Sequence, residues 1–406
     1  MRLVLTILAA AWLLAGTAYA APSARDRVAI TAMETALRPA SAKAGDPDKA
    51  LTAHMAELNV PGVSVAFIED GRVKWTRVYG VATVGGPPVT STTLFQAASM
   101  SKAVAAAAAL RLVEQGRLDL DEDVNSRLKA WKVPETPYTA EKKVTLRRLF
   151  SHTAGLTVSG FPGYQAGKPI PTTVQVLEGL PPANTPAVRS FEAPGGQYAY
   201  SGGGYTVAQL LMVEVGGKPY PELLQDLILR PAGMRHSTFD QPLPDQLLPK
   251  AASGHGVRGI VIEGARNTYP EYAAASLWTT PSDYGRFMIG LQNAYVGRPR
   301  GLISQASAKT MMTPVDANYG LGLALGKRGG HPYIQHGGGN EGFLCNSFAF
   351  LDGKRQGVVV MTNAMAGGIV AGDIMRALVK AYGWGEPDSG SQGSPRRAPN
   401  VPAVPK

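Results

Sequence analysis

The chain has 406 residues, of which 45% are hydrophobic, with one cysteine and a formal net charge of +10. This apolar fraction is ample for a large core, and a single cysteine excludes an internal disulfide. The basic residues are scattered and form no nucleic-acid-binding motif, so nucleic acid is not an expected partner.

The first twenty residues, MRLVLTILAAAWLLAGTAYA, have the pattern of a secretory signal peptide. Arg2 precedes a short apolar run, which ends at the small-x-small site Ala18-Tyr19-Ala20. A retained membrane anchor is the alternative. No apolar stretch of about 18 residues follows, so we expect no membrane span after cleavage. Export without disulfides predicts a secreted or periplasmic bacterial protein.

Three further regions follow the signal peptide. Residues 21–45 are helical in character but interrupted by alanine and proline, and we interpret them as a lead-in segment. Residues 46–384 form the predicted globular domain. The tail, residues 385–406, contains five prolines and three glycines. Because such a composition buries little apolar surface, the tail is predicted to be disordered.

Within the domain, a helix at about 47–58 precedes two β-rich runs, GVSVAFIED and RVKWTRVYGVA, which a turn at EDG joins into a hairpin. The region from about 120 to 315 reads as helices and loops. Strands return in YGLGLAL, GFLCNSFAFLD and QGVVVMT, and a last helix spans about 367–382. We therefore predict an α+β fold: one antiparallel sheet built from both chain ends and flanked by helices, with a mostly helical insertion.

The stretch SMSK precedes an alanine-rich helix that is predicted to end at Gln115-Gly116. Ser99 is expected at the N-terminus of this helix. Residues three apart share a helix face, so the Lys102 amine can reach the Ser99 hydroxyl. A helix N-terminus also offers unpaired N–H groups that stabilise an oxyanion. The alternative is a helix-capping serine with an exposed lysine.

Two glycine-rich stretches also suggest chemistry. In PGGQYAYSGGGYTVAQLL, Tyr200 lies in a turn before a helix that is predicted to start near Tyr205, and a phenol there can act as acid or base. In QHGGGNEGF, the glycines of a predicted strand let backbone N–H groups approach a ligand closely. A phenol packed beneath a loop and an ordinary glycine turn are the alternatives.

Together these stretches resemble the serine β-lactamase and penicillin-binding-protein-like superfamily. The resemblance is strongest to the branch of class C β-lactamases, family VIII esterases, D-aminopeptidases and D,D-peptidases, and it runs from about residue 47 to 382. It includes LFQAASMSKAVAAAAALRLVEQGRLDLDEDV, VTLRRLFSHTAGL, PGGQYAYSGGGYTVAQLL, PAGMRHSTF and HGGGNEGF. The resemblance implies a β-lactamase/transpeptidase-like fold and catalysis through an acyl-enzyme, with no cofactor.

By resemblance, Ser99 is the acylated nucleophile, Lys102 is its partner and Tyr200 is the base of the second motif. The oxyanion would be bound by the N–H groups of Ser99 and Gly339. The segment from His336 to Gly338 stands where many relatives have Lys-Thr-Gly, and it is assigned to substrate binding.

Two departures from the family pattern bear on the substrate. The second motif of lactamases and peptidases reads Tyr-x-Asn, whereas here Gly202 stands in place of Asn. Gly202 lacks the amide that binds the amide of a β-lactam or peptide, which forfeits roughly 1–3 kcal/mol of recognition. A neutral His336 holds a carboxylate less firmly than lysine. Both changes weaken the case for a dedicated β-lactamase.

Other motifs give no support for a different chemistry. There is no G-x-S-x-G nucleophile elbow. Asp119, Asp121 and Asp123 are spaced like the start of an EF-hand loop, but Val124 stands where glycine is required. Six histidines form no recognisable ligand set, so no metal is expected. His152, in SHTAGL, is interpreted as structural.

The sequence therefore predicts an exported serine hydrolase with an esterase-like or D-amino-acid peptidase-like activity. Its expected partner is a small ester, an amide or a cell-wall-type substrate. A β-lactamase or D,D-carboxypeptidase is one alternative, and a penicillin-binding or partner-binding relative without turnover is another. The oligomeric state cannot be predicted from the sequence.

Overall fold

A six-stranded antiparallel sheet forms the centre of the molecule in a computed structural model that describes residues 21–388 and 397–400. The predicted signal peptide, residues 1–20, lies outside the described residues. The strands have the order β2-β1-β8-β7-β6-β5 and a separate two-stranded sheet pairs β3 with β4. The strands are β1 (Gly62–Glu69), β2 (Arg72–Gly80), β3 (Phe95–Gln96), β4 (Trp278–Thr279), β5 (Ala324–Arg328), β6 (His331–Asn340), β7 (Phe343–Phe350) and β8 (Gly357–Thr362).

Twelve α-helices surround the sheets in the described part of the chain, and none of them is long and apolar enough to cross a membrane. They are α1 (Ala24–Thr35), α2 (Leu51–Glu57), α3 (Ser101–Glu114), α4 (Leu146–Phe150), α5 (Thr173–Glu178), α6 (Gly202–Gly216), α7 (Tyr220–Leu224), α8 (Arg230–Ala232), α9 (Tyr272–Ala275), α10 (Pro281–Tyr295), α11 (Gln305–Met311) and α12 (Gly367–Tyr382).

The sheet is buried on both faces, which explains the uninterrupted apolar sequence of β8. Successive side chains of a strand point to opposite faces. Val358 and Val360 therefore join the apolar cluster formed with α1, α2 and α12, whereas Val359 and Met361 join the larger cluster that contains α3 and α10. The helical insertion between β2 and β5 thus packs on one face, and the two chain ends pack on the other.

The predicted architecture is confirmed, because strands from both ends of the domain form one antiparallel sheet. The EDG hairpin joins β1 to β2, and α12 has the predicted bounds. Two boundaries were wrong. The helix predicted from 47 begins only at Leu51, because Lys49 pairs with Leu37 through two backbone hydrogen bonds. The strand predicted at YGLGLAL begins only at Ala324.

The lead-in segment contains α1, which packs against α12. Ser23 and Asp26 form a capping box at its start. The hydroxyl of Tyr382, the last residue of α12, donates to the Asp26 carboxylate at 2.7 Å. These contacts tie the beginning of the described chain to the end of the last helix.

Two parts of the predicted disordered tail, residues 385–388 and 397–400, contact the domain. Ala398 donates its N–H to the carbonyl of Tyr200 at 2.9 Å, and Pro399 accepts from the N–H of Val158 at 2.9 Å. The composition of the tail, from which disorder is predicted, does not reveal these backbone hydrogen bonds to the domain.

Candidate active site

Ser99 lies in a short 3₁₀ turn, Ala98–Met100, directly before the first residue of α3. Ala98 has a φ of 48°, in the left-handed region that residues with a Cβ rarely adopt. Ser101 holds this turn, since its Oγ donates to the Ala98 carbonyl at 2.6 Å and accepts from the N–H of Leu277 at 3.0 Å. The strained turn thus presents Ser99, half-buried, to a cavity.

The helix α3 is buried nearly all round. Residues 105–109 are all alanine and have no solvent exposure. Alanine has the highest helix propensity, and its small side chain lets α6, α9 and α11 pack closely against α3. The alanine run therefore fixes the position of the first turn of the helix within the core.

Lys102 lies in that first turn, three residues after Ser99, and is only 2% exposed. Its Nζ donates to the Ser99 Oγ at 3.1 Å and to the Ala274 carbonyl at 2.8 Å. The rings of Tyr200 and Tyr205 lie 4.9 Å and 5.3 Å from the amine. The amine is therefore held against the serine hydroxyl by one carbonyl and two aromatic faces, which is not the geometry of an exposed lysine.

Tyr200 lies directly before α6, whose N-cap is Ser201. His152 holds the chain on both sides of Tyr200: its carbonyl accepts from the N–H of Ala199 at 2.8 Å, and its Nδ1 accepts from the N–H of Ser201 at 3.0 Å. The ring centroids of His152 and Tyr200 lie 4.3 Å apart. Burial lowers the pKa of His152, so the ring is neutral. The histidine interpreted as structural therefore positions Tyr200.

The glycines of β6 bring its backbone beside the serine turn. Residues 336–340 pair with β7 alone, because the pairing of β6 with β5 extends only to Gln335. A Cβ at Gly338 would lie 2.1 Å from the carbonyl oxygen of Ala97, so only glycine permits this approach. Gly339 lines the same cavity as Ser99.

His336 is buried, and both of its ring nitrogens are engaged within the protein. Nδ1 lies 2.6 Å from the Gly337 carbonyl, and Nε2 lies 3.0 Å from the hydroxyl of Tyr319. Since a carbonyl only accepts, Nδ1 carries the proton and Nε2 accepts from Tyr319. Burial and, secondly, the charge of Lys102 lower the pKa of His336 to about 4. At neutral pH the ring is therefore uncharged.

This neutral histidine should make the protein sensitive to acid. Its pKa is lower when folded than when unfolded, so the unfolded chain binds more protons between about pH 6.5 and pH 4. Stability is therefore lost as the pH falls through this window. We expect His336→Gln to reduce the loss of unfolding free energy between pH 7.5 and pH 4.5 by about 2 kcal/mol. Urea unfolding at the two pH values measures this change.

His331→Gln is the matched control, because His331 is exposed and pairs with Asp352 at the surface. That variant should lose as much stability on acidification as the wild type. An equal loss in His336→Gln and wild type would contradict the assignment of a neutral, buried imidazole.

Gly202 is the first residue of α6, three residues before the predicted start of the helix. Its φ lies outside the left-handed region. A Cβ at this position would lie 2.8 Å from Cε2 of Phe161 and 3.3 Å from the carbonyl oxygen of Ser159. The Phe161 ring thus fills the space that a side chain at position 202 would enter.

All these groups meet at one open cavity of about 1130 Å³. Five of the six predicted site residues line it, and the sixth, Lys102, bonds to the Ser99 hydroxyl. The five are Ser99, Tyr200, His336, Gly338 and Gly339. Within residues 21–388 and 397–400, no cluster of histidine, cysteine and acidic side chains could hold a metal.

Several residues that shape this site were missed by sequence reasoning. Ser101 and His152 hold the backbone beside Ser99 and Tyr200. The Tyr319 hydroxyl donates a hydrogen bond to His336. The SHTAGL segment pointed to His152. The contact between Tyr319 and His336 depends on tertiary packing, and no sequence pattern indicates it.

Packing and ion pairing account for three other residues of the described chain. Cys345 is buried, donates to the carbonyl of Gln96, and has a pKa raised by burial to about 12, as expected for an unreactive thiol. Trp278 is a core residue, only 1% exposed. In the acidic turn, Asp121 forms a two-bonded ion pair with Arg147.

Comparison with known proteins places this geometry in context. D-alanyl-D-alanine-carboxypeptidase/endopeptidase AmpH from Escherichia coli (strain K12) is 28% identical over 305 residues, covering 70% of this chain and 74% of AmpH. Protein flp from Staphylococcus aureus (strain MW2) is 25% identical over 331 residues, covering 75% of this chain. The chain spans only 60% of the length of that relative.

Among solved structures, the fold is similar to that of the D-amino acid amidase from Ochrobactrum anthropi SV3, solved in complex with L-phenylalanine. The TM-score is 0.64 at 24% identity, with 82% of this chain and 97% of the amidase covered. A family model described as Beta-lactamase matches residues 47–381. The chain therefore belongs to the β-lactamase family of hydrolases, within the serine β-lactamase and penicillin-binding-protein-like superfamily.

Proposed function

We propose that the protein is an exported serine hydrolase that cleaves an ester or amide bond through an acyl-enzyme on Ser99. The observation that carries this proposal is the hydrogen bond of 3.1 Å between the buried Lys102 amine and the Ser99 hydroxyl at an open cavity. The serine hydroxyl lies within hydrogen-bond reach of the amine, which is the geometry that proton transfer between the two groups requires.

In this mechanism the Ser99 Oγ forms a bond to the substrate carbonyl carbon, and its proton passes to the pair of Lys102 and Tyr200. The oxyanion of the tetrahedral intermediate accepts hydrogen bonds from the N–H groups of Ser99 and Gly339. The bond to the leaving group then breaks, and the leaving atom takes the proton from Tyr200. Finally water attacks the acyl-enzyme with Tyr200 as base, which releases the acid and restores Ser99.

The export part of the proposal rests on the signal-peptide pattern of residues 1–20 and Ala18-Tyr19-Ala20. A secreted or periplasmic hydrolase would meet small esters and cell-wall-type amides. AmpH, named as a carboxypeptidase and endopeptidase, and the D-amino acid amidase act on bonds of the amide class, which supports a D-amino-acid peptidase-like activity as one form of the proposal.

The environment of Gly202 supports the esterase-like form more strongly. Position 202 carries no side-chain amide, and a Cβ there would lie 2.8 Å from Cε2 of Phe161. An ester substrate has no N–H that requires a partner at position 202, whereas a β-lactam or peptide amide would lose the hydrogen bond that Asn supplies at this position of the motif. We therefore expect kcat/KM to be highest for a small ester, lower for a D-amino-acid amide and lowest for a cephalosporin.

A three-substrate comparison tests this order. Purified mature protein is assayed on p-nitrophenyl butyrate, a D-alanine anilide and a chromogenic cephalosporin. We expect measurable hydrolysis of the ester and weak or no turnover of the cephalosporin. A higher kcat/KM on the cephalosporin than on any ester would restore the β-lactamase alternative. A stoichiometric burst without turnover on all three would support the binding-only relative.

The same comparison on variants tests the role of position 202. Gly202→Asn alone brings a Cβ against Phe161, so the informative variant is Phe161→Ala with Gly202→Asn. Restoring one neutral hydrogen bond should shift the cephalosporin-to-ester ratio of kcat/KM upward by roughly tenfold. Phe161→Ala alone is the control and should not raise this ratio. A folded double variant with an unchanged ratio would contradict the explanation.

A further inference from the structure

The tail segment 397–400 forms one wall of the cavity. Ala398 is buried and donates to the Tyr200 carbonyl, and Pro399 accepts from Val158. Asn400 accepts through its Oδ1 from both the N–H and the hydroxyl of Ser159, at 3.3 Å and 3.2 Å. The segment is thus bonded to the loop that carries Tyr200 and to the loop of residues 158–161.

The segment borders the cavity without filling it. The cavity has a volume of about 1130 Å³ with residues 397–400 in place, and Ser99 still lines it. Arg397 and Asn400 are among its lining residues. A segment that plugged the site would have covered Ser99, so the geometry favours a substrate-contacting wall over an inhibitory plug.

Arg397 adds a positive charge to the lining of the cavity. Of the described residues that line it, Arg397 is the only lysine or arginine. His336, which stands where many relatives have lysine, is neutral and has both ring nitrogens engaged. No ion pair among the described residues includes Arg397. Its charge is felt in the site, since it opposes the rise that burial causes in the pKa of Tyr198.

One acidic side chain also lines the cavity. Asp316 accepts from the N–H of Tyr198, so part of its charge is already hydrogen-bonded. An anionic ligand would therefore avoid the Asp316 side and bind toward Arg397. Arginine suits this task, because its planar guanidinium binds a carboxylate through two parallel hydrogen bonds.

We propose that Arg397, held in the cavity wall by residues 398–400, selects substrates whose leaving group carries a carboxylate. We infer the leaving-group side from the backbone β-bridge between Arg397 and Tyr200, because Tyr200 is the residue proposed to protonate the leaving group. This inference rests on the proposed function for its catalytic consequence, but the binding of the carboxylate does not require turnover.

Two ester pairs test the selection. Butyrate esters of 3- and 4-hydroxybenzoate carry an anionic leaving group, and the butyrate esters of the corresponding hydroxybenzamides are their neutral counterparts. We expect Arg397→Ala to lower the anionic-to-neutral ratio of kcat/KM by about tenfold for at least one pair, and Arg397→Glu to lower it further. Added salt should lower the same ratio in the wild type, because it screens an exposed charge.

Arg72→Ala is the matched control, since Arg72 is exposed at the hairpin start of β2, and its ratio should equal that of the wild type. Deletion of residues 397–406 should lower the ratio as Arg397→Ala does. An equal rise in activity on both members of a pair after deletion would show a plug and overturn the proposal. An unchanged ratio in Arg397→Ala for both pairs would also overturn it.

A binding measurement separates this inference from the proposed hydrolysis. Calorimetric titration of Ser99→Ala with the 4-hydroxybenzoate ester, compared with Ser99→Ala/Arg397→Ala, reports the carboxylate contact without any reaction. Weaker binding by about tenfold in the double variant would support the inference even if the wild type hydrolysed no ester. Equal binding by the two variants would refute it, whatever the rate of hydrolysis.

Discussion

Ser99→Ala should reduce ester hydrolysis to background, a loss of at least about 10⁴-fold in kcat, while the protein remains folded. The hydroxyl of Ser99 accepts a hydrogen bond from Lys102 at the cavity surface, and in the proposed mechanism no covalent intermediate can form without it. The substitution removes a half-buried hydroxyl and leaves Ser101, which holds the turn, in place. Initial rates on p-nitrophenyl butyrate, with circular dichroism to monitor the fold, measure this effect.

Ser159→Ala provides the matched control for that experiment. Ser159 also lines the cavity, but its hydroxyl donates only to Asn400 among the described residues. This variant should retain most of its activity on a neutral ester. Loss of activity in Ser159→Ala, with activity retained in Ser99→Ala, would move the nucleophile to the other side of the cavity.

Lys102→Ala and Tyr200→Phe should each lower kcat by about 10²-fold or more. The amine and the ring lie 4.9 Å apart, and both handle the same proton in the proposed mechanism. Groups that act as a unit have non-additive effects, so the double variant should lose much less than the product of the two single losses. Steady-state kinetics of the two single variants and the double variant measure this coupling.

Tyr198→Phe is the control for the loss of a phenol from the cavity. Tyr198 lines the same space, and its ring packs on His152 and Tyr319, so the phenylalanine preserves the packing. We expect near wild-type turnover. A fully multiplicative loss in the Lys102 and Tyr200 double variant would show that the two residues act independently.

The sequence was informative where chemistry follows local spacing. Ser99 and Lys102 are three positions apart in the chain, and this spacing brings the two side chains together whether the serine lies in a 3₁₀ turn or in the helix. The two-ended sheet was predictable for a similar reason, because alternating or continuous apolar runs mark strands at both ends of the domain.

The start of α6 was harder to predict than its existence. Gly202 begins the helix, although a run of three glycines there suggested an irregular turn. Glycine disfavours a helix by about 1 kcal/mol per residue. Tertiary contacts outweigh this cost here: a Cβ at Gly203 would lie 2.5 Å from the carbonyl oxygen of Thr157. Intrinsic propensity alone could not show that the first turn packs so closely.

The features that we propose govern specificity were not visible in the sequence. Phe161 fills the space beside Gly202, and the Tyr319 hydroxyl donates a hydrogen bond to His336. Arg397, from the tail, lines the cavity. Each contact joins residues that lie far apart in the chain or in a segment whose composition predicts disorder. Such contacts depend on how the loops fold over the sheet, and no local pattern encodes them.

Adduct mapping tests directly whether Ser99 becomes acylated. The mature protein is treated with a fluorophosphonate, its intact mass is measured, and the modified peptide is sequenced by tandem mass spectrometry. We expect one adduct per chain, located on Ser99 and absent from Ser99→Ala. An adduct on Ser101, Ser159 or Ser201, or undiminished labelling of Ser99→Ala, would contradict it.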